Sequence, residues 1–198
     1  SEVCVLADET SDPRLVAVDL LSQAEHGPDS PAVLVTADDR LFDQVEAELE
    51  TLLTRLSRSE ILEQALGDHG LMVFAPNHEE AVRFVDEFAP EHATILTADP
   101  QTDAKQIRGA GSVYVGRWSP ESAGDYATGA NHVLPTGGLA RAYGPLGVED
   151  FGSWRQVQTL TREGLGLLRP TIGCLADAEG LTAHRLAADL RFEVEESP

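Results

Sequence analysis

The chain has 198 residues, 42% of them hydrophobic and 24% charged, enough for one sizeable core with a small appendage and too apolar for a disordered tail. Acidic residues outnumber basic ones 34 to 14, a formal charge of -20, which argues against a phosphate-tracking nucleic-acid surface and against adsorption to an anionic membrane. No stretch approaches the roughly 20 apolar residues of a membrane span and no basic-then-apolar leader opens the sequence, so a soluble, cytoplasmic protein is expected.

In chain order, the apolar run 3–7 reads as a strand, followed by the turn Thr10-Ser11-Asp12-Pro13 and a helix carrying Leu15, Val16, Val18, Leu20 and Leu21. A second buried strand is predicted over 32–36, and a helix follows with Leu41, Val45, Leu49, Leu52, Leu53 and Leu56 on one face. A short helix over 61–66 is expected to stop at Gly67, with strands at 71–74, 94–96 and 112–115 and helices at 79–88 and 101–108 between them. Short apolar strands alternating with helices are the pattern of a mostly parallel, Rossmann-like α/β sheet covered on both faces.

The segment 116–152 is rich in Gly, Pro, Ser, Thr, Asn and Asp, and too long for an ordinary connection. Trp118, Tyr126, Val133, Leu134, Tyr143 and Leu146 predict an ordered loop that packs. Two helices follow, over 160–178 and 181–190, interrupted at Pro170 and Gly180. The predicted organisation is an α/β domain over 1–147 and a small helical tail over 148–198, which must dock on something because two helices close no core.

Lys105 is the only lysine, so 13 of the 14 basic residues are arginines. With the acidic excess this fits adaptation to a salty cytoplasm, where a Debye length of roughly 3 Å near 1 M tolerates self-repulsion. An arginine-biased genome with an ordinarily acidic surface is the alternative. Cys4 and Cys174 are too few and too far apart for a disulfide scaffold, and read as small core residues.

Six histidines are present. His69 and His78, beside polar turns, read as solvated. His26 closes the first helix three residues after Gln23, a spacing that puts both on one helical face. Pro90-Glu91-His92 precedes the fourth strand, where a carboxylate and an imidazole can serve as general bases if the backbone turns at Pro90. A loop acid beside a loop histidine is the alternative. Asp125 and His132 stand in a dense polar stretch with Gly124 and Gly129, and Glu179 and His184 flank the junction between the last two helices. Together Gln23, His26, Asp125 and His184 would make a mixed N/O zinc site of the kind that also holds substrate. No glycine-rich phosphate loop follows the first strand.

The stretches Leu20-Leu21-Ser22-Gln23-Ala24-Glu25-His26-Gly27-Pro28-Asp29-Ser30, Ala89-Pro90-Glu91-His92, Gly111-Ser112-Val113, Trp118-Ser119-Pro120-Glu121-Ser122-Ala123-Gly124-Asp125-Tyr126, Asn131-His132-Val133-Leu134-Pro135-Thr136 and Leu181-Thr182-Ala183-His184 resemble the second half of histidinol dehydrogenases. The resemblance implies an oxidoreductase of histidine biosynthesis that converts L-histidinol to L-histidine through the aldehyde, consuming two NAD and retaining one zinc. It implies Gln23, His26, Asp125 and His184 as zinc ligands and Glu91 and His92 as the acid/base pair. Ser1, His132 and Glu179 match positions that, with those groups, contact substrate. It implies a homodimer in which the tail is exchanged. The half that would carry the main NAD-binding domain is absent from this sequence, which leaves open a zinc- or imidazole-binding fragment without activity. Zinc-dependent hydrolysis is a third reading on the generic parts alone.

Overall fold

The computed structural model describes residues 1–193 and divides into two compact units, the first Ser1–Gly152 and the second from Ser153 onward. In the first unit five parallel strands form one sheet: β1 (Val3–Ala7), β2 (Ala32–Thr36), β3 (Gly70–Phe74), β4 (His92–Leu96) and β5 (Ser112–Val115), in the order β3-β2-β1-β4-β5. β1 pairs with both β2 and β4, Val3 lying opposite Ala32 and His92. β1, β2 and β4 are buried along their whole length, which is why β1 and β2 read as nearly continuous apolar runs, while β4 also buries His92 and Thr94.

Alternation across the pleat sends successive side chains to opposite faces. Val3, Val5, Ala7 and Leu34 pack under the helices α1 (Pro13–Ala24), α2 (Arg40–Leu53) and α3 (Ser59–His69), through Val16, Leu20, Leu41, Val45 and Leu62. Cys4, Leu6, Val33, Val35 and Ile95 face the other way, against Ala81, Val82 and Val85 of α4 (His78–Phe88). α1 starts where expected, with Asp12 accepting from the Arg14 amide and Pro13 opening the first turn.

Several expectations are corrected. α3 runs through Gly67 to His69, because a single glycine only weakens a helix and the Leu62 and Ala65 face stays buried. The fifth helix, α5 (Pro100–Ala104), is shorter than 101–108. His78 is half-exposed but not free: its Nε2 lies 2.9 Å from Asp103 Oδ1, while Thr97 Oγ1 donates to Asp103 Oδ2 at 2.5 Å. Asp103 is buried and ties α4 and α5 to the end of β4. Replacing it with Ala is expected to cost about 1–3 kcal/mol in urea unfolding, by leaving the buried Thr97 hydroxyl unpaired.

The polar segment is ordered but does not pack as predicted. It contains α6 (Glu121–Tyr126) and two 3-10 turns at Leu139–Arg141 and Val148–Phe151. Asn131 Nδ2 donates to the Leu146 carbonyl and the Leu146 amide to Val133, so the loop is held by its own polar groups. Four of its apolar side chains stand outward, Trp118 and Tyr126 at 85% and 86% exposed and Val133 and Tyr143 exposed too, while Leu134 and Leu146 are half-buried.

The second unit consists of α7 (Arg162–Glu179), α8 (Thr182–Asp189) and a 3-10 turn, Leu190–Phe192. α7 passes through Pro170 without a break. Gly180 does end it, in the left-handed conformation. Cys174 is exposed rather than in a core. Only Gly173, Ala176 and Ala188 of this unit are buried among the described residues, whereas Leu167, Leu175 and Leu186 are exposed. No described helix is long and apolar enough to cross a membrane.

Candidate functional site

The groups singled out in the first unit gather at the edge of the sheet where β1 and β4 begin. Glu91 and His92 open β4, Ser1 and Glu2 precede β1, and the C-terminal end of α1 brings Gln23 and His26 to the same edge. His26 is not on the helix, as the three-residue spacing suggested. α1 ends at Ala24, and His26 turns back so that its Nδ1 lies 3.2 Å from the Gln23 carbonyl. Gln23 is fully buried; Ser1 Oγ donates to its Oε1 at 3.3 Å, and its Nε2 has no partner.

His26 and Asp125 come together with Glu121, a residue the motif reading passed over. Their ligating atoms all lie within 4.8 Å of one another. Glu121 and Asp125 are one turn apart on α6, so their carboxyls share a face. α6 can approach because residue 124 is glycine: a Cβ there would lie 2.6 Å from the Tyr114 ring. Tyr114 in turn stacks on His92, with ring centroids 6.0 Å apart. A cleft of about 250 Å³ lined by Ser22, Glu25, His26, Arg58, Ser122, Asp125 and Tyr126 opens beside the pair.

Glu2 organises the base end. Its amide donates to Glu91 Oε2 at 3.1 Å, its Oε1 accepts from the Glu91 amide at 3.2 Å and the Gly137 amide at 3.0 Å, and its carbonyl lies 3.1 Å from His92 Nδ1. A carbonyl only accepts, so Nδ1 carries the proton and Nε2 is left as the free base. Nε2 is buried without a partner. Burial lowers the His92 pKa below its ordinary 6.5, against the opposing pull of Glu91. Glu121, 1% exposed and with neither oxygen paired, is pushed up to about 8 by burial first and by the Asp125, Asp19 and Glu91 charges second.

The remaining predicted residues are not gathered here by this unit alone. His132 lies exposed in the polar loop. Glu179 ends α7 and His184 lies in α8, both in the second unit, where His184 lines a groove with Leu160, Leu165, Ile172 and Phe192.

The chemistry fits a divalent ion of the zinc type. An imidazole and two carboxylates with converging donor atoms, beside buried polar atoms with no protein partner, form an N/O set that a borderline cation satisfies. A dinucleotide is not fitted in the same way. The crevice at the carboxyl ends of β1 and β4, where strand order reverses, holds a cavity of about 400 Å³ lined by Thr10, Ser11, Asp12, Thr97 and Arg117 among others. The helix end facing it is capped by the Asp12 carboxylate, held near pKa 2 chiefly by its hydrogen bond with Arg14. With that carboxylate occupying the helix terminus and no glycine-rich turn before it, the crevice offers no backbone cradle for a pyrophosphate.

A family model described as histidinol dehydrogenase matches residues 1–192. The histidinol dehydrogenase of Vibrio cholerae is 49% identical over 193 residues, 98% of this chain and 44% of that protein. That of Pectobacterium atrosepticum is 49% identical over 191 residues, 96% of this chain and 43% of the relative. Among solved structures, histidinol dehydrogenase from Elizabethkingia anophelis matches with a TM-score of 0.91 at 40% identity, over 98% of this chain and 44% of that one. The chain thus spans less than half the length of the relatives it matches.

Proposed function

The chain belongs to the histidinol dehydrogenase family, and from that premise we propose that, joined with the rest of the family's length, it oxidises L-histidinol to L-histidine in histidine biosynthesis. The observation that carries this reading is the unpartnered Nε2 of His92, buried 6.0 Å ring to ring from Tyr114 and beside the His26, Asp125 and Glu121 cluster. A neutral imidazole in that position can take a hydroxyl proton as the carbinol hydrogen leaves as hydride. Glu91, oriented by the Glu2 amide, is the carboxylate that would activate water on the resulting aldehyde for the second oxidation. Zinc would be held by Gln23, His26 and Asp125, with His184, and would supply a Lewis-acid anchor that orients the substrate's imidazole and amine. Ser1, His132 and Glu179 are proposed as further substrate contacts, the tail residues being delivered through exchange in a homodimer. The outward leucines of α7 and α8 are consistent with a tail that docks. NAD, the hydride acceptor, would be held by residues outside this chain.

A second reading is favoured by the acid-capped crevice and by the chain's 44% share of its relatives: alone, it binds zinc or an imidazole ligand and performs no redox chemistry. One experiment separates the two. Co-expression with the remainder of the family's length is expected to give histidinol-dependent NADH formation, while the chain alone takes up zinc and forms none. A reconstituted protein that binds zinc yet never reduces NAD would leave only the binding reading.

A further inference from the structure

We propose that Glu121 is a positioning residue for the metal and base ends of this site, holding the His26–Asp125 pair and the His92 ring in one arrangement. The inference rests on the zinc reading above and assigns a role to a side chain outside the ligand set proposed there. Three observations carry it. Glu121 is 1% exposed, yet both its carboxyl oxygens lack a hydrogen-bond partner, a costly state for a buried carboxyl that is not serving some other group. Its carboxyl sits within 4.8 Å of the donor atoms of His26 and Asp125, and its Oε1 is 3.9 Å from His92 Nδ1. It therefore lies near both ends, too far from His92 for a hydrogen bond but within 4 Å of its ring.

The local fold keeps it there. Pro120 precedes α6 and sets its entry, Gly124 lets the helix rest on Tyr114, and Tyr114 packs on His92. Glu121 and Asp125 therefore move as one face of a short helix. Carboxylates placed behind metal ligands orient them and raise their basicity, and losing one typically weakens metal binding about 10–100-fold. The Nε2 of Gln23, also fully buried at this edge, is a donor without a partner, so unpaired groups of both kinds lie within the site.

The test uses the chain as it stands, with Co²⁺ and Zn²⁺ as probes, read by chelator competition and by the visible absorption of bound cobalt. Glu121→Gln keeps size and burial while removing the charge, and Glu121→Asp keeps the charge on a shorter stem. The expected result is a 10- to 100-fold weaker affinity and an altered cobalt spectrum in Glu121→Gln, with affinity recovered in large part in Glu121→Asp. Wild-type affinity and spectrum in Glu121→Gln would overturn the proposal, as would a loss that Glu121→Asp does not recover, since that marks a packing role. His26→Ala and Asp125→Ala keep the two readings apart. If they abolish binding while Glu121→Gln does not, only the Glu121 assignment fails; if they too bind as wild type, the zinc reading itself fails.

Discussion

Replacing His92 with Ala in the reconstituted protein is expected to lower histidinol-dependent NADH formation by about 10²–10⁴-fold, the usual contribution of a positioned general base, with bound zinc unchanged. The expectation follows from how the ring is held. The Glu2 carbonyl takes the Nδ1 proton and leaves Nε2 as the acceptor, and burial keeps the ring neutral below its ordinary titration range. A base prepared in this way works across neutral pH and loses its function only as the solution becomes acidic. Glu91→Gln is expected to stop turnover at the aldehyde, with NADH limited to that of the first oxidation, because Glu91 serves the hydration step that the second oxidation needs. Neither residue belongs to the His26, Glu121 and Asp125 cluster, so metal analysis distinguishes a lost base from a collapsed site. Sustained turnover in both variants, with zinc in place, would remove the acid/base assignment.

The sheet and most of its helices could be read from the sequence because burial on both faces leaves a simple mark. Val3–Ala7 and Ala32–Thr36 are continuous apolar runs in which no polar side chain could be tolerated apart from the closing Thr36. The site residues were legible for a different reason: His26, Glu91, His92 and Asp125 stand among prolines and glycines at segment ends, where polar side chains mark loops rather than core. Glu121 could have been found, since it lies four residues before Asp125 on a short helix and therefore shares its face. Glu2 could not. Part of its role is played by its amide and carbonyl, groups that every residue carries, and the pairing of its carboxylate with the Glu91 amide follows only from the β1–β4 register. The exposed aromatics of the polar loop were misread because hydrophobic composition says that a surface will be covered, not that this chain alone covers it.

The buried carboxyl at position 121 also sets how stability depends on pH. Its folded pKa, about 8, lies above the ordinary 4.5, so the native state binds a proton that the unfolded chain releases. Between those values the folded state is therefore favoured at the lower pH, and stability declines as pH rises. Asp19, raised to about 6 by burial alone, contributes in the same sense but only up to that pH. His92 acts oppositely: its depressed pKa costs stability as pH falls below 6.5, and nothing above it. The window from pH 6.5 to 8 is thus where Glu121 acts without either of the other two. Over it the metal-free chain is expected to lose about 2 kcal/mol in urea unfolding, at about 1.4 kcal/mol per pH unit for a fully shifted group. In Glu121→Gln that slope should disappear and the chain should be the more stable of the two at pH 8, even though its metal binding is weaker. Adding zinc to the wild-type chain at pH 8 should recover the lost stability, because a cation beside the carboxylate removes the cost of burying its charge. An unchanged slope in Glu121→Gln would mean that the carboxyl is ionised in the folded chain and that solvent or a neighbouring group already compensates it.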